Sequence, residues 1–299
     1  MSEEYITIND AALQALNQRE FYQAQTLLRE NAKKNPSLVT FNNLGAFYVF
    51  EGMVAPDESY RSAKKQGIKY LEKALSYQNS RFSFSALGYA CFETKDFKGA
   101  AHNFGKAYEI IADYVSAYNK ALSYYRKNEY VNALTWSEKA CSMCEESEYF
   151  ETYALYLFSL LQVDKDECSK KLHHLFNDSS NDLEIEKFAL AYFCNDLQLA
   201  AQQANKMLEF YIVNLDIMAM VFDCLIKTNN DNEAIKYLEQ KIEILKEYDY
   251  NVQPQIKRLK KALFNEEYRQ AIISSFQYIK PLIAQCCYYG CKAHNNPIE

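Results

Sequence analysis

The sequence predicts an all-α fold of stacked helical hairpins, and three observations carry that expectation. Glycine and proline are scarce, seven and five in 299 residues, which argues against a turn-rich β fold. Ala, Leu, Lys, Glu and Gln are plentiful, and these residues favour helix. Small residues also recur at a near-constant interval. Ala24, Gly67, Ala100, Ala133, Cys168, Ala200 and Ala234 are separated by 43, 33, 33, 35, 32 and 34 residues. After the first gap the spacing stays close to the roughly 34-residue period of a two-helix repeat.

The first unit is partial, with "FYQAQTLLRENAKKNP" supplying a second helix. The second opens on "FNNLGAFY" at residues 41–48. The excess of the first gap falls near "EGMVAPDESY", residues 51–60, where Pro56 interrupts a helix and Asp57 or Ser59 would cap the next. An inserted loop or a longer first helix both fit. In the third unit the pattern predicts helices over residues 84–93 and 97–111, with the turn at Thr94-Lys95-Asp96. Gly88 and Ala100 are expected to bring those two backbones together, with Leu87, Phe97, Phe104 and Tyr108 filling the space around them. The fourth unit covers residues 117–141, and the units around Cys168, Ala200 and Ala234 are degenerate. The expected organisation is a solenoid of about seven units over residues 5–247, capping helices over 248–285 and a cysteine-containing tail over 286–299. In the capping region Ile256, Leu259 and Leu263 share one face, and Tyr268, Ile272, Phe276 and Ile279 share another.

The runs "FNNLGAFY", "FSALGYACFETKDFKGAAHNFGKAY" and "AYNKALSYYRKNEYVNALTWSEKAC" resemble the tetratricopeptide repeat (TPR) family. Two positions of the last run depart from the family pattern. Ala121 stands where the family usually has Gly, and Ser137 where it has an aromatic. The resemblance implies a right-handed α-solenoid whose concave face, lined by first helices, receives an extended or helical peptide. It also implies that Asn43 and Asn119 grip a ligand backbone, because a carboxamide both donates and accepts. Tyr89, Phe92, Leu122, Tyr125 and Arg126 are expected on the same surface, the aromatics as anchors and Arg126 as a carboxylate receiver. The competing reading has these residues serving the scaffold alone. The chaperone-tail clamp of the family needs basic residues near these Asn positions, and Asn9, Leu13, Phe82 and Ala86 supply none.

A net charge of −6 gives no support for a nucleic-acid binder. There is no 18-residue apolar run and no signal-peptide pattern in "MSEEYITIND", so the expected compartment is the cytoplasm, with no membrane partner. Nine cysteines then read mostly as reduced core residues. The strongest chemical motif is "CCYYGCKAH". Cys286, Cys287, Cys291 and His294 offer thiolates and an imidazole at spacings that would hold zinc, with incidental thiols as the alternative. The CxxC of Cys141 and Cys144 reads as packing, and His102 and the His173-His174 pair as solvated helix surface. No phosphate loop, nucleophile elbow or HExxH motif occurs. The leading expectation is a non-enzymatic adaptor that binds a protein or peptide and needs no cofactor. The alternatives are a peptide-sensing regulator without its own DNA-binding domain and a metal-binding accessory or maturation protein.

Overall fold

The computed structural model describes residues 3–52, 60–177, 183–207, 214–248, 252–278 and 282–298. Among the described residues every regular element is helical, as expected. The chain divides into two compact units, Met1–Cys144 with Pro281–Glu299, and Glu145–Lys280.

In the first unit four helical pairs follow one another: α1 (Glu3–Asn17) with α2 (Phe21–Lys34), α3 (Leu38–Phe50) with α4 (Tyr60–Leu75), α5 (Arg81–Glu93) with α6 (Phe97–Ile110), and α7 (Tyr114–Arg126) with α8 (Tyr130–Cys141). The partners of each pair pack together, and α2 meets α3, α4 meets α5 and α6 meets α7. Sequence sets these boundaries through side-chain caps. Ser37 and Thr40 form a capping box at the start of α3, and Ser80, Asp96 and Asp113 accept backbone N–H groups at the starts of α5, α6 and α7. The Ser80 cap starts α5 three residues before the predicted boundary. The tight turns inside the hairpins each place one non-glycine residue in the left-handed region: Arg19, Lys95 and Asn128, at φ 60°, 65° and 62°. The predicted insertion falls mainly on residues 53–59, outside the described residues.

The repeat markers Ala24, Gly67, Ala100 and Ala133 all lie on second helices and are all buried. The close approach differs from the one expected. The nearest neighbours of Gly88 are not atoms of Ala100 but ring carbons of Phe104, at 2.7–2.8 Å from where a Cβ would stand. Gly45 meets Leu71 in the same way, at 2.7 Å. Leu71 and Phe104 each lie four residues after a marker, one helical turn on, so one rule covers both pairs. A first-helix residue without a side chain makes room for a large second-helix residue. The same register pairs Ala121 with Ser137, both fully buried. A methyl is gained on one helix where a ring is lost on the other, which accounts for both departures from the family pattern.

The second unit holds α9 (Glu146–Val163), α10 (Lys165–Leu175), α11 (Glu184–Phe193), α12 (Leu197–Lys206), α13 (Leu215–Lys227), α14 (Asp231–Tyr248), α15 (Gln253–Phe264) and α16 (Glu266–Ser274). Its markers Cys168, Ala200 and Ala234 lie on α10, α12 and α14, fully buried. The hairpin turns again use left-handed residues, Asn195 and Asn229. Both α15 and α16 pack on α13, and Ile256, Leu259 and Leu263 form the buried face of α15 as expected. The face expected on α16 is displaced by one residue: Arg269 and Ile273 are buried there. Ile279, assigned to the same face, lies outside the described residues. Helix also ends at Ser274 rather than running on towards residue 285. Beyond it Phe276 sits against Phe193 and Tyr278 stacks on Phe158 with ring centroids 4.0 Å apart, contacts that hold this stretch in a non-helical path.

Arg269 is buried because it answers Asp223 on α13. Its Nε donates to Asp223 Oδ1 at 3.1 Å, and its Nη1 donates to the carbonyls of Ala262 and Leu263. Gln270, Tyr192 and Lys227 also donate to the Asp223 carboxylate, at 2.6, 2.7 and 2.6 Å. Burial works against the charge on Asp223, but the bonds from Lys227, Tyr192 and Arg269 outweigh it and hold the carboxyl below its ordinary range.

Two outcomes follow for stability. Gly88→Ala overpacks the contact with Phe104 and should cost about 1–3 kcal/mol in chemical denaturation. Combining it with Phe104→Leu should cost less than the sum of the two single changes. Asp223→Ala strands Arg269 and should cost about 3–5 kcal/mol. Because the folded carboxyl titrates below the unfolded one, its contribution is complete above the unfolded value and disappears as pH falls through the folded value. Thermal melts of wild type should therefore converge on those of Asp223→Ala in strong acid.

Candidate peptide-binding groove

The first helices α1, α3, α5 and α7 place a row of polar side chains along one side of the first unit. Asn9, Asn42, Asn43 and Asn119 are all fully buried there. Against them lies the chain's own C-terminal segment, residues 282–291, which carries no helix and hydrogen-bonds to these side chains.

Two asparagines hold this segment by identical chemistry. Asn43 Nδ2 donates to the Tyr289 carbonyl at 2.9 Å while its Oδ1 accepts from the Tyr289 N–H at 2.8 Å. Asn119 does the same at Ile283, at 3.1 and 3.0 Å. Each carboxamide thus satisfies both backbone groups of one residue, whatever its side chain. Between them Asn42 donates to the Cys287 carbonyl at 2.7 Å, and its own Oδ1 is held by Ser83 Oγ at 2.8 Å. Asn9 adds a second donor to the Tyr289 carbonyl at 3.2 Å and braces Asn43 through an Oδ1 contact at 2.8 Å. Tyr89 donates its hydroxyl to the Ile283 carbonyl. Burial pushes the Tyr89 phenol well above its ordinary pKa, so it remains a neutral donor.

One side chain of the segment is read as well as its backbone. Tyr289 is 3% exposed, with its ring edge-on to Phe82 at 4.8 Å and its hydroxyl 2.6 Å from Ser80 Oγ. Ser80 also caps α5, so the hairpin boundary and the tyrosine pocket share a residue. Tyr288 fits less well. Its hydroxyl is buried yet has no hydrogen-bond partner among the described residues, a shortfall of about 1–3 kcal/mol.

Of the residues assigned to the groove from sequence, Asn43, Tyr89 and Asn119 hydrogen-bond to the segment. Leu122 is fully buried core. Phe92 packs edge-on to Phe97, Tyr125 packs on Tyr130, and the Arg126 guanidinium lies over the Phe97 and Phe92 rings at 5.0 and 5.9 Å. These positions are at the C-terminal ends of α5 and α7, where side chains pack on the hairpin turns. Asn9, Asn42, Ser80 and Phe82 also contact the segment, beyond the residues that the family pattern implies. A signal for Asn9 was present, since it precedes Asn43 by 34 residues, one repeat.

The C-terminal thiols separate into two environments. Cys286, Cys291 and His294 bring Sγ, Sγ and a ring nitrogen within 4.8 Å of one another. Cys287 does not join them. It is fully buried, with its Sγ directed to the Gln285 carbonyl at 3.4 Å, because adjacent residues of a non-helical segment point to opposite sides. Elsewhere Cys144 Sγ caps the Cys141 carbonyl at 3.4 Å. His173 and His174 are exposed, as expected of a solvated helix surface, and the His174 ring also lies against those of Tyr149, Phe150 and Tyr153.

No protein-family model and no curated protein sequence matches the chain. Solved structures do. A tetratricopeptide repeat protein from Parabacteroides merdae superposes with a TM-score of 0.62 at 14% identity, covering 88% of this chain and all of that one. The apo form of the quorum sensor NprR from B. thuringiensis superposes with a TM-score of 0.58 at 17% identity, covering 89% of this chain and 84% of that one. The fold is that of tetratricopeptide-repeat proteins. At these identities the likeness is one of architecture. No helix among the described residues is long and apolar enough to cross a membrane.

Replacing Asn43 or Asn119 by alanine strips one tail residue of both backbone partners, a loss of about 1–3 kcal/mol for each buried group that stays dry. Hydrogen exchange should show protection falling at Tyr289 for Asn43→Ala and at Ile283 for Asn119→Ala. Amides inside α13 should be unchanged in both.

Proposed function

We propose that the chain is a non-enzymatic scaffold that binds a protein or peptide segment along the first helices of its N-terminal unit, and that residues 282–291 occupy that groove as an internal ligand. The observation that carries this reading is the pair of two-way carboxamide contacts at Ile283 and Tyr289. A core asparagine that serves only its scaffold would bond to neighbouring helices. These bond to the backbone of a non-helical segment more than 160 residues away in sequence.

The same contacts describe the guest. It presents uncoiled backbone at two residues six positions apart, with an aromatic residue bearing a hydroxyl at the second. Backbone contacts supply affinity without sequence demands, and the Ser80–Phe82 pocket supplies selectivity. An external segment of this kind competes with the tail, and the unpartnered Tyr288 hydroxyl leaves it something to gain. Regulation by release of the tail is the second reading, favoured by the internal occupant itself. The architecture shared with the quorum sensor NprR is compatible with it.

The test uses a chain ending at Tyr278 and a labelled peptide with the sequence of residues 282–298. Fluorescence anisotropy should show saturable binding. Binding should weaken at least tenfold in the Asn43→Ala/Asn119→Ala variant and when the tyrosine at the 289 position becomes alanine. A truncated chain that keeps its helical circular dichroism yet does not bind its own tail peptide would refute the groove.

A further inference from the structure

We infer that Cys286, Cys291 and His294 form a binding site for one thiophilic transition-metal ion, of the Zn²⁺ class, which fastens the tail in the groove. The fastening part rests on the groove reading above; the metal site stands on its own geometry.

The three ligand atoms already lie within 4.8 Å of one another, and Cys291 Sγ is 3.2 Å from His294 Nδ1. Tetrahedral zinc, with Zn–S near 2.3 Å and Zn–N near 2.0–2.1 Å, sets its ligand atoms about 3.6–3.8 Å apart. Closing on an ion therefore needs side-chain adjustment and no refolding. Two thiolates and an imidazole select zinc, cobalt or cuprous copper over magnesium or calcium. Three protein ligands leave a fourth position for water or an added ligand.

The backbone around the cluster is built rather than loose. Gly290 has φ +76°, and a Cβ there would stand 2.6 Å from Ile298 and 2.8 Å from Asn9 Nδ2, so the turn requires glycine. The Cys291 carbonyl accepts the N–H groups of His294 and Asn296, and the Gly290 N–H donates to the Pro297 carbonyl. These bonds close residues 290–297 into a knuckle whose 3₁₀ turn, Lys292–His294, swings the imidazole back over Cys291. Asn296 Nδ2 donates to the Tyr288 carbonyl at 2.9 Å and to Cys286 Sγ at 3.3 Å, the kind of outer hydrogen bond that orients a metal thiolate. The site is also reachable. His294 is exposed, and Cys291 lines a cavity of about 390 Å³ with Asp10, Gln14 and Lys292.

Position gives the site a consequence. Cys286 precedes Tyr289 and Cys291 follows it, so an ion bridging the two cysteines braces both flanks of the residue that Asn43 and Asn9 hold. Metal would thus make the tail harder to displace.

The experiment uses the reduced full-length chain, stripped of metal and titrated with Co²⁺ and then Zn²⁺. One equivalent of Co²⁺ should give thiolate-to-cobalt charge-transfer absorption and tetrahedral visible bands, bleached by one equivalent of Zn²⁺. His294→Ala, whose side chain is exposed and leaves the fold intact, should weaken binding at least tenfold, and Cys286→Ser should abolish the charge-transfer band. Hydrogen exchange at Tyr289 should slow at least tenfold with Zn²⁺ in wild type and not in His294→Ala. Absence of a stoichiometric cobalt spectrum, or a spectrum unchanged in both variants, overturns the site. A normal spectrum with unchanged exchange at Tyr289 overturns the fastening. Exchange in the metal-free Asn43→Ala chain reports on the groove alone, so failure of the metal site and failure of the groove are read separately.

Discussion

Backbone proximity between the two helices of a hairpin is the constraint on which the first unit depends. Gly45 and Gly88 give up their side chains to Leu71 and Phe104, and the large residue, once seated, fixes how far apart the helices lie. Protein cores pack at crystal-like density, so a hairpin spaced by one such contact hands its neighbour a surface of defined shape. Repetition of that spacing sets the first helices side by side. Only in that arrangement do asparagines from α1, α3 and α7 face one segment of chain. The polar row is a product of apolar packing beneath it.

The buried asparagines carry a risk that the tail removes. A carboxamide shut away from water without partners is costly, and four of them along one face would weaken an empty groove unless water filled it. The tail supplies the missing donors and acceptors as backbone N–H and C=O groups. In return it gains satisfaction of its own peptide groups without forming helix or sheet. Binding of this kind is reciprocal in its accounting of hydrogen bonds, which is why the contacts fall on backbone atoms at both Ile283 and Tyr289.

Much of the fold was legible in the chain. The markers from Ala24 to Ala234 fall on second helices throughout, because small residues at a fixed period have a steric cause that acts locally. The amide grip was legible in part. Asn43 and Asn119 could be named from the family pattern, yet nothing local says that their ligand lies in the same polypeptide. A helical reading of residues 275–285 was reasonable on apolar spacing alone. The competing interactions, Phe276 on Phe193 and Tyr278 on Phe158, come from residues distant in sequence, so periodicity is blind to them. Likewise the aromatic neighbours of Phe92, Tyr125 and Arg126 near the hairpin turns are not legible from their own spacing. Cys287 lies apart from the other two tail thiols for a simpler reason: a non-helical backbone sends neighbours to opposite sides, and sequence alone does not announce where helix stops.

The covalent tether between groove and tail has a quantitative meaning. A ligand carried on the same chain acts as though present at a local concentration that is on the order of millimolar for flexible connections. On the proposed reading, a free segment entering the groove competes with that standing occupancy. Under the function proposed above, the tether sets a threshold for entry to a surface that holds mostly backbone.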